Sequence, residues 1–152
     1  MYTLARMCPI EDILLHAKVQ NVHQLFECAA QHLWHRYGLT SQSVAERLAK
    51  REKLGSTGLG QGVAIPHARI SGLQVPLALF IRPEHPIAFD APDGKPVGEL
   101  FLLLVPEHAH QSHLQLLADA VRLFSTRAFR ETLRAATTPG DVRRLLLDSQ
   151  PS

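Results

Sequence analysis

The sequence predicts an α/β sandwich, with helices towards both ends of the chain and apolar strands between them on one core. Two runs, residues 75–82 and 99–105, are almost unbroken apolar segments of strand length, as central strands covered on both faces require. Val22, Leu25, Phe26, Ala29, Ala30, Leu33, Trp34 and Tyr37 repeat at helical spacing. Two further helix-start signals follow Pro106. A length of 152 residues suits one domain, 1–152, with its core over about residues 10–148.

In chain order, Asn21 with Gln24 forms a capping box for the first helix, and Gly38 ends it in the left-handed conformation. A second helix runs from Thr40 or Ser41 to Lys53, with Val44, Leu48 and the alanines inward and Gly55 as its stop. Arg47, Lys50, Arg51 and Lys53 crowd its C-terminal half, where positive charge suits the helix dipole. Residues 55–62, GSTGLGQG, hold four glycines in eight positions and read as a shaped loop rather than a helix or regular strand. Val63, Ala64 and Ile65 make a short β-prone piece that Pro66 stops, which presents His67 at a strand's C-terminal end. Residues 83–96 are turn-rich, with a short edge strand expected at 87–89. Ser112 with Gln115 caps the next helix, with Leu114, Leu117, Ala118, Val121 and Phe124 as its apolar stripe and His113 in its first turn. Residues 126–136 form a short helix, and Thr138-Pro139-Gly140-Asp141 starts the last.

Composition excludes several functions. Sixteen Lys and Arg against fourteen Asp and Glu leave a net charge of +2, too little for nucleic-acid binding by bulk electrostatics. Cys8 and Cys28 make no CxxC pair or disulfide framework, which fits a reducing cytoplasm. The opening MYTLARMCPIEDILLH lacks the basic start, apolar run and cleavage site of a secretory leader, so the chain is expected to start as it is. No stretch approaches the ~20 apolar residues of a membrane span.

The glycine-rich loop fails both standard nucleotide tests. A P-loop ends in Gly-Lys-Ser/Thr, whereas Val63 and Ala64 follow Gly62; a dinucleotide fingerprint leads from strand to helix, whereas this loop leads from helix to strand. Two readings stay open: a tight turn without a ligand, or a backbone cup that binds an oxyanion beside His67. Of nine histidines, His23, His32 and His35 read as solvated, and His16 and His85 stand alone. His108, His110 and His113 form a tract that matches no zinc pattern, so no metal is expected. His67 combines a glycine-rich approach, a proline anchor and a strand end. A neutral imidazole is a nucleophile that carries a phosphoryl group without a cofactor, and Arg51 and His113 are suitable donors to the phosphoryl oxygens.

The string from Arg51 to His67, REKLGSTGLGQGVAIPH, resembles the active-site segment of enzyme IIA components of the fructose–mannitol class of the phosphoenolpyruvate-dependent phosphotransferase system, and is most similar to the nitrogen-regulatory type. The likeness extends to Pro86-Ile87-Ala88-Phe89-Asp90, Leu103-Leu104-Val105-Pro106 and His113-Leu114. It implies a mixed sheet with helices on both faces, His67 as phosphoacceptor, and His113 and Arg51 as stabilisers of the phosphoryl group. Gly58, Gly60 and Gly62 then form the phosphate loop. It implies no metal or nucleotide, and a donor that is a histidine-containing phosphocarrier protein, HPr or its nitrogen-branch paralogue. Ala68-Arg69 departs from the Gly-Lys frequent at this point, which matters if the chain there needs a positive φ. A regulatory carrier is the expected role. The alternatives are a sugar-specific IIA that passes phosphate to a IIB domain and, outside the family, a binding module whose glycine loop is only a turn.

Overall fold

The computed structural model describes residues 3–149, so the first two residues of the stretch read for a leader lie outside it. A six-stranded mixed sheet runs through the molecule: β1 (Ile13–Ala17), β2 (Gly58–Gly60), β3 (Val63–Ala64), β4 (His67–Ile70), β5 (Leu77–Pro83) and β6 (Glu99–Pro106). The order is β1-β5-β6-β3-β2, with β4 also on β6. β1 is parallel to β5, β5 antiparallel to β6, and β3 and β4 both parallel to β6.

Period-2 geometry divides the two apolar runs between the sheet faces. Leu77, Leu79, Ile81, Leu100, Leu102 and Leu104 face one core. Helices α2 (Val22–Tyr37) and α3 (Ser41–Lys53) cover it with Leu25, Phe26, Leu33, Val44 and Leu48. Ala78, Phe80, Phe101, Leu103 and Val105 face the other core. There α1 (Leu4–Met7), α4 (Gln111–Phe124), α5 (Arg127–Ala135) and α6 (Pro139–Asp148) pack. Phe124 lies against Phe101 and Phe129, with ring centroids 5.1 and 5.0 Å apart.

The local signals behave as their chemistry requires. Asn21 Oδ1 accepts the Gln24 N–H at 2.8 Å, and Gly38 closes α2 at φ 73°. The expected capping box does not close on itself: Gln24 Oε1 accepts the N–H of Gln20, one residue before the cap, rather than that of Asn21. Thr138 caps α6 through the Asp141 N–H.

Four readings change. β1 and the short helix before it were not anticipated, because Ile13, Leu14 and Leu15 are too few to separate from a turn and become a strand only beside β5. The expected edge strand at 87–89 reduces to a single bridge between Ile87 and Val97. α4 starts at Gln111 with His110 as its cap, and its buried face is His113, Leu116, Ala120 and Phe124. Leu114 and Val121 of the expected stripe are exposed, because the core takes the neighbouring side of the helix. His32 is not solvated: its Nε2 lies 2.7 Å from Oδ1 of buried Asp12, which also accepts from Arg36 Nε at 3.0 Å and from the Tyr37 hydroxyl. A helical repeat shows which face of α2 is apolar but not that a buried carboxylate waits beside its last turn.

Candidate active site

The glycine-rich segment is more regular than expected. Residues 58–64 form a hairpin of β2 and β3. Its turn is Gln61-Gly62, at φ 57° and 80°, the two positive values that a type I′ turn demands. The Gln61 N–H is held by Asp93 Oδ2 at 2.9 Å, and Arg134 donates to the Gln61 carbonyl. Gly60 and Gly62 therefore lie against Asp93 and Arg134. Gly58 instead borders a small cavity together with Arg51 and His67.

His67 opens a strand rather than following one. β3 pairs with Glu99 and Leu100 of β6, and β4 with Leu103 to Pro106, so the two are one line beside β6 interrupted at Ile65-Pro66. Pro66 has no N–H to satisfy, and its carbonyl accepts from Leu103 at 2.9 Å. The interruption turns the Ile65 carbonyl towards the His67 ring, whose Nδ1 is 2.9 Å away. A carbonyl only accepts, so Nδ1 carries the proton and Nε2 keeps its lone pair. Arg51 Nε donates to that Nε2 at 3.3 Å, while its other arm holds the Gly55 carbonyl at 2.9 Å. Burial lowers the His67 pKa below its ordinary 6.5. The Ile65 bond opposes this, the Arg51 charge adds to it, and Glu52 opposes it. The ring is therefore held neutral at neutral pH, the nucleophilic form.

His113 is buried in the first turn of α4, and its Nδ1 accepts the His110 N–H at 3.1 Å. In the neutral ring the proton then sits on Nε2, the opposite tautomer to that of His67. His67 and His113 line one open groove of about 470 Å³ together with Arg51. The three residues singled out from the sequence for phosphoryl chemistry thus share a cavity, although 16 positions separate Arg51 from His67. Ala68 lies in β4 and is not among the positive-φ residues, so its methyl is accommodated. The groove wall went unread in the sequence: Leu54, 83% exposed, and Leu114 and Leu117 form an apolar margin, with Arg47, Lys50 and Arg69 around it. None of the described residues that line it is acidic. A large apolar side chain left exposed beside a helix end was the available signal for Leu54.

Among the described residues no three His, Cys, Asp or Glu side chains come together as a metal site, and no helix is long and apolar enough to cross a membrane. Residues 6–149 match the model of the phosphoenolpyruvate-dependent sugar phosphotransferase system EIIA 2 family. The chain belongs to this EIIA 2 family. A nitrogen regulatory protein of Pseudomonas aeruginosa is 44% identical over 110 residues, covering 72% of this chain and 71% of the relative. The nitrogen regulatory protein of Escherichia coli is 34% identical over 148 residues, or 97% and 88% of the two chains. The crystal structure of nitrogen regulatory protein IIA-Ntr from Neisseria meningitidis superposes with a TM-score of 0.88 at 44% identity, over 94% of this chain and 98% of that one. This EIIA 2 protein is thus a phosphocarrier component of the nitrogen-regulatory IIA type, and its mixed sheet between two helical layers is the fold of that group.

Proposed function

We propose that His67 is the phosphoacceptor, and that the phosphorylated and free forms signal to a regulated protein in the manner the names of the nitrogen regulatory relatives imply. The observation that carries this reading is the ring's double anchorage, with Nδ1–H on the Ile65 carbonyl and Nε2 facing the Arg51 guanidinium. The donor is a phosphohistidine on a histidine-containing phosphocarrier protein, HPr or its nitrogen-branch paralogue. The Nε2 lone pair attacks phosphorus as the donor's N–P bond breaks, and that bond's electron pair returns to the donor imidazole. No cofactor enters this balance. Phosphoryl transfer asks mainly for positioning and for charge on the equatorial oxygens. The Arg51 guanidinium and the His113 Nε2–H supply that charge and hydrogen bonding. Gly58 lets the first strand of the hairpin lie close against Ala91, and Gly60 and Gly62 shape the hairpin behind the ring. The apolar, cation-rimmed groove is where the donor docks.

The test is uptake of phosphate from phosphorylated carrier, followed by mapping of the added mass. The product is expected on His67, labile to acid and stable to alkali as a phosphoramidate is, with His67→Ala taking up nothing. Stoichiometric labelling of His67→Ala would overturn the assignment.

A further inference from the structure

The support beneath the His67 ring hangs on one carboxylate. Glu52, in the last turn of α3, accepts the Thr57 backbone N–H on Oε2 at 2.8 Å and the Thr57 hydroxyl on Oε1 at 2.7 Å. Thr57 is buried, and its carbonyl accepts the Ile65 N–H at 3.1 Å. The Ile65 carbonyl in turn receives the His67 Nδ1–H at 2.9 Å. An unbroken run of hydrogen bonds thus leads from α3 through Thr57 and Ile65 to one side of the imidazole. Arg51, the residue before Glu52, reaches its other side. The end of one helix grips both ring nitrogens.

We propose that Glu52 is a positioning residue: by clamping both donors of Thr57 it holds the Ile65 carbonyl against His67 Nδ1, and so fixes the tautomer that leaves Nε2 as the nitrogen to be phosphorylated. The proposal rests on the reading of His67 as phosphoacceptor. A carboxylate suits the task because Thr57 presents two donors side by side and a carboxylate offers two acceptor oxygens at matching separation. Without the clamp, the segment 55–58 keeps the Arg51 bond to the Gly55 carbonyl and the Ser56 Oγ bond to the Phe89 carbonyl, both 2.9 Å, and neither of these holds Thr57. The Ile65 carbonyl then loses its fixed height under the ring. A positioning role differs from a purely structural one in what it controls, namely which ring nitrogen carries hydrogen and which takes phosphorus.

The experiment uses nitrogen-15 NMR of the imidazole in the unphosphorylated protein, phosphorus–nitrogen couplings after phosphorylation, and single-turnover transfer from phosphorylated carrier. The wild-type protein is expected to show one tautomer, with hydrogen on Nδ1, and phosphate on Nε2 alone. Glu52→Ala and Thr57→Val are each expected to give mixed tautomers and transfer slowed about tenfold or more, with half-saturation by the donor unchanged. Thr57→Ser, which keeps the hydroxyl, is expected to match wild type in both readouts. Should Glu52→Ala fail to fold, the Thr57→Val and Thr57→Ser pair decides. Wild-type tautomer and rate in folded Glu52→Ala or Thr57→Val would overturn the proposal, as would Thr57→Ser behaving like Thr57→Val. If wild-type protein takes up no phosphate yet the tautomers respond as stated, the phosphoacceptor reading fails and the clamp stands as the support of the ring.

Discussion

Replacing Arg51 by alanine removes the guanidinium whose Nε lies 3.3 Å from His67 Nε2. In the free protein that contact is a long hydrogen bond to a neutral ring. On the proposed phosphorylation of Nε2, the same guanidinium would face a dianion, so the interaction would be stronger in the transition state than before it. A charge-assisted hydrogen bond contributes about 1.5–3 kcal/mol. At about 1.4 kcal/mol per factor of ten, Arg51→Ala should slow transfer roughly ten- to a hundredfold. His113→Ala should act similarly, since it removes the Nε2–H proposed to bond the phosphoryl oxygens. Arg51→Lys keeps the charge but cannot bond the Gly55 carbonyl and Nε2 together, so its rate should fall between those of Arg51→Ala and wild type. The assay is rapid-quench single turnover with excess phosphorylated carrier, scoring phosphate on His67, which should still reach completion. Rates within about twofold of wild type, a difference below ~0.5 kcal/mol, would refute the stabilising role and leave His67 with its backbone anchor as the whole site.

Because burial lowers the His67 pKa, NMR titration of the ring should give a midpoint below 6.5; as pH falls the unfolded chain binds this proton first, so the stability present above pH 6.5 is lost as pH drops through the folded value, and a midpoint at or above 6.5 would contradict the reading. Glu99→Ala strips the buried carboxylate 3.0 Å from Arg82, a partly buried cation that also holds the Leu133 and Ala136 carbonyls, and should cost about 1.5–3 kcal/mol in urea unfolding. Gly58→Ala places a methyl 3.1 Å from Ala91 Cα and Cβ and should lower stability by about 1–3 kcal/mol, read as a shift of the thermal midpoint. Transfer from carrier should slow as salt rises, and Lys50→Glu should reverse or flatten that slope, if the cationic groove rim guides docking.

The sequence by itself determined what local chemistry and periodicity encode. The apolar runs at 75–82 and 99–105 read as strands buried on both faces, and they supply the inner strands β5 and β6, although Val75 stays exposed ahead of β5. The Asn21 cap and the Gly38 stop bound α2 to the residue, because a helix end is satisfied by the side chains next to it. The resemblance of residues 51–67 to known active-site segments singled out Arg51 and His67 before any contact was visible. Where the sequence was silent, the deciding partner lay far along the chain. The strand at Ile13–Ala17 exists because β5 lies beside it, and His32 is drawn in by Asp12, 20 residues away. The glycine-rich stretch could be read as a shaped loop, but not as a hairpin whose Gln61 is held by Asp93 and Arg134, which lie far along the chain.

The orientation of the His67 ring is likewise a tertiary matter. A histidine after a proline offers two ring nitrogens, either of which can carry the proton. Which one keeps its lone pair was decided by a carbonyl turned towards it where the strand breaks at Pro66, and by a guanidinium arriving from the end of α3. Hydrogen bonds act over about 3 Å whatever the separation in sequence. Periodicity therefore tells where a chain buries itself, and only the packed fold tells which polar atoms it brings face to face.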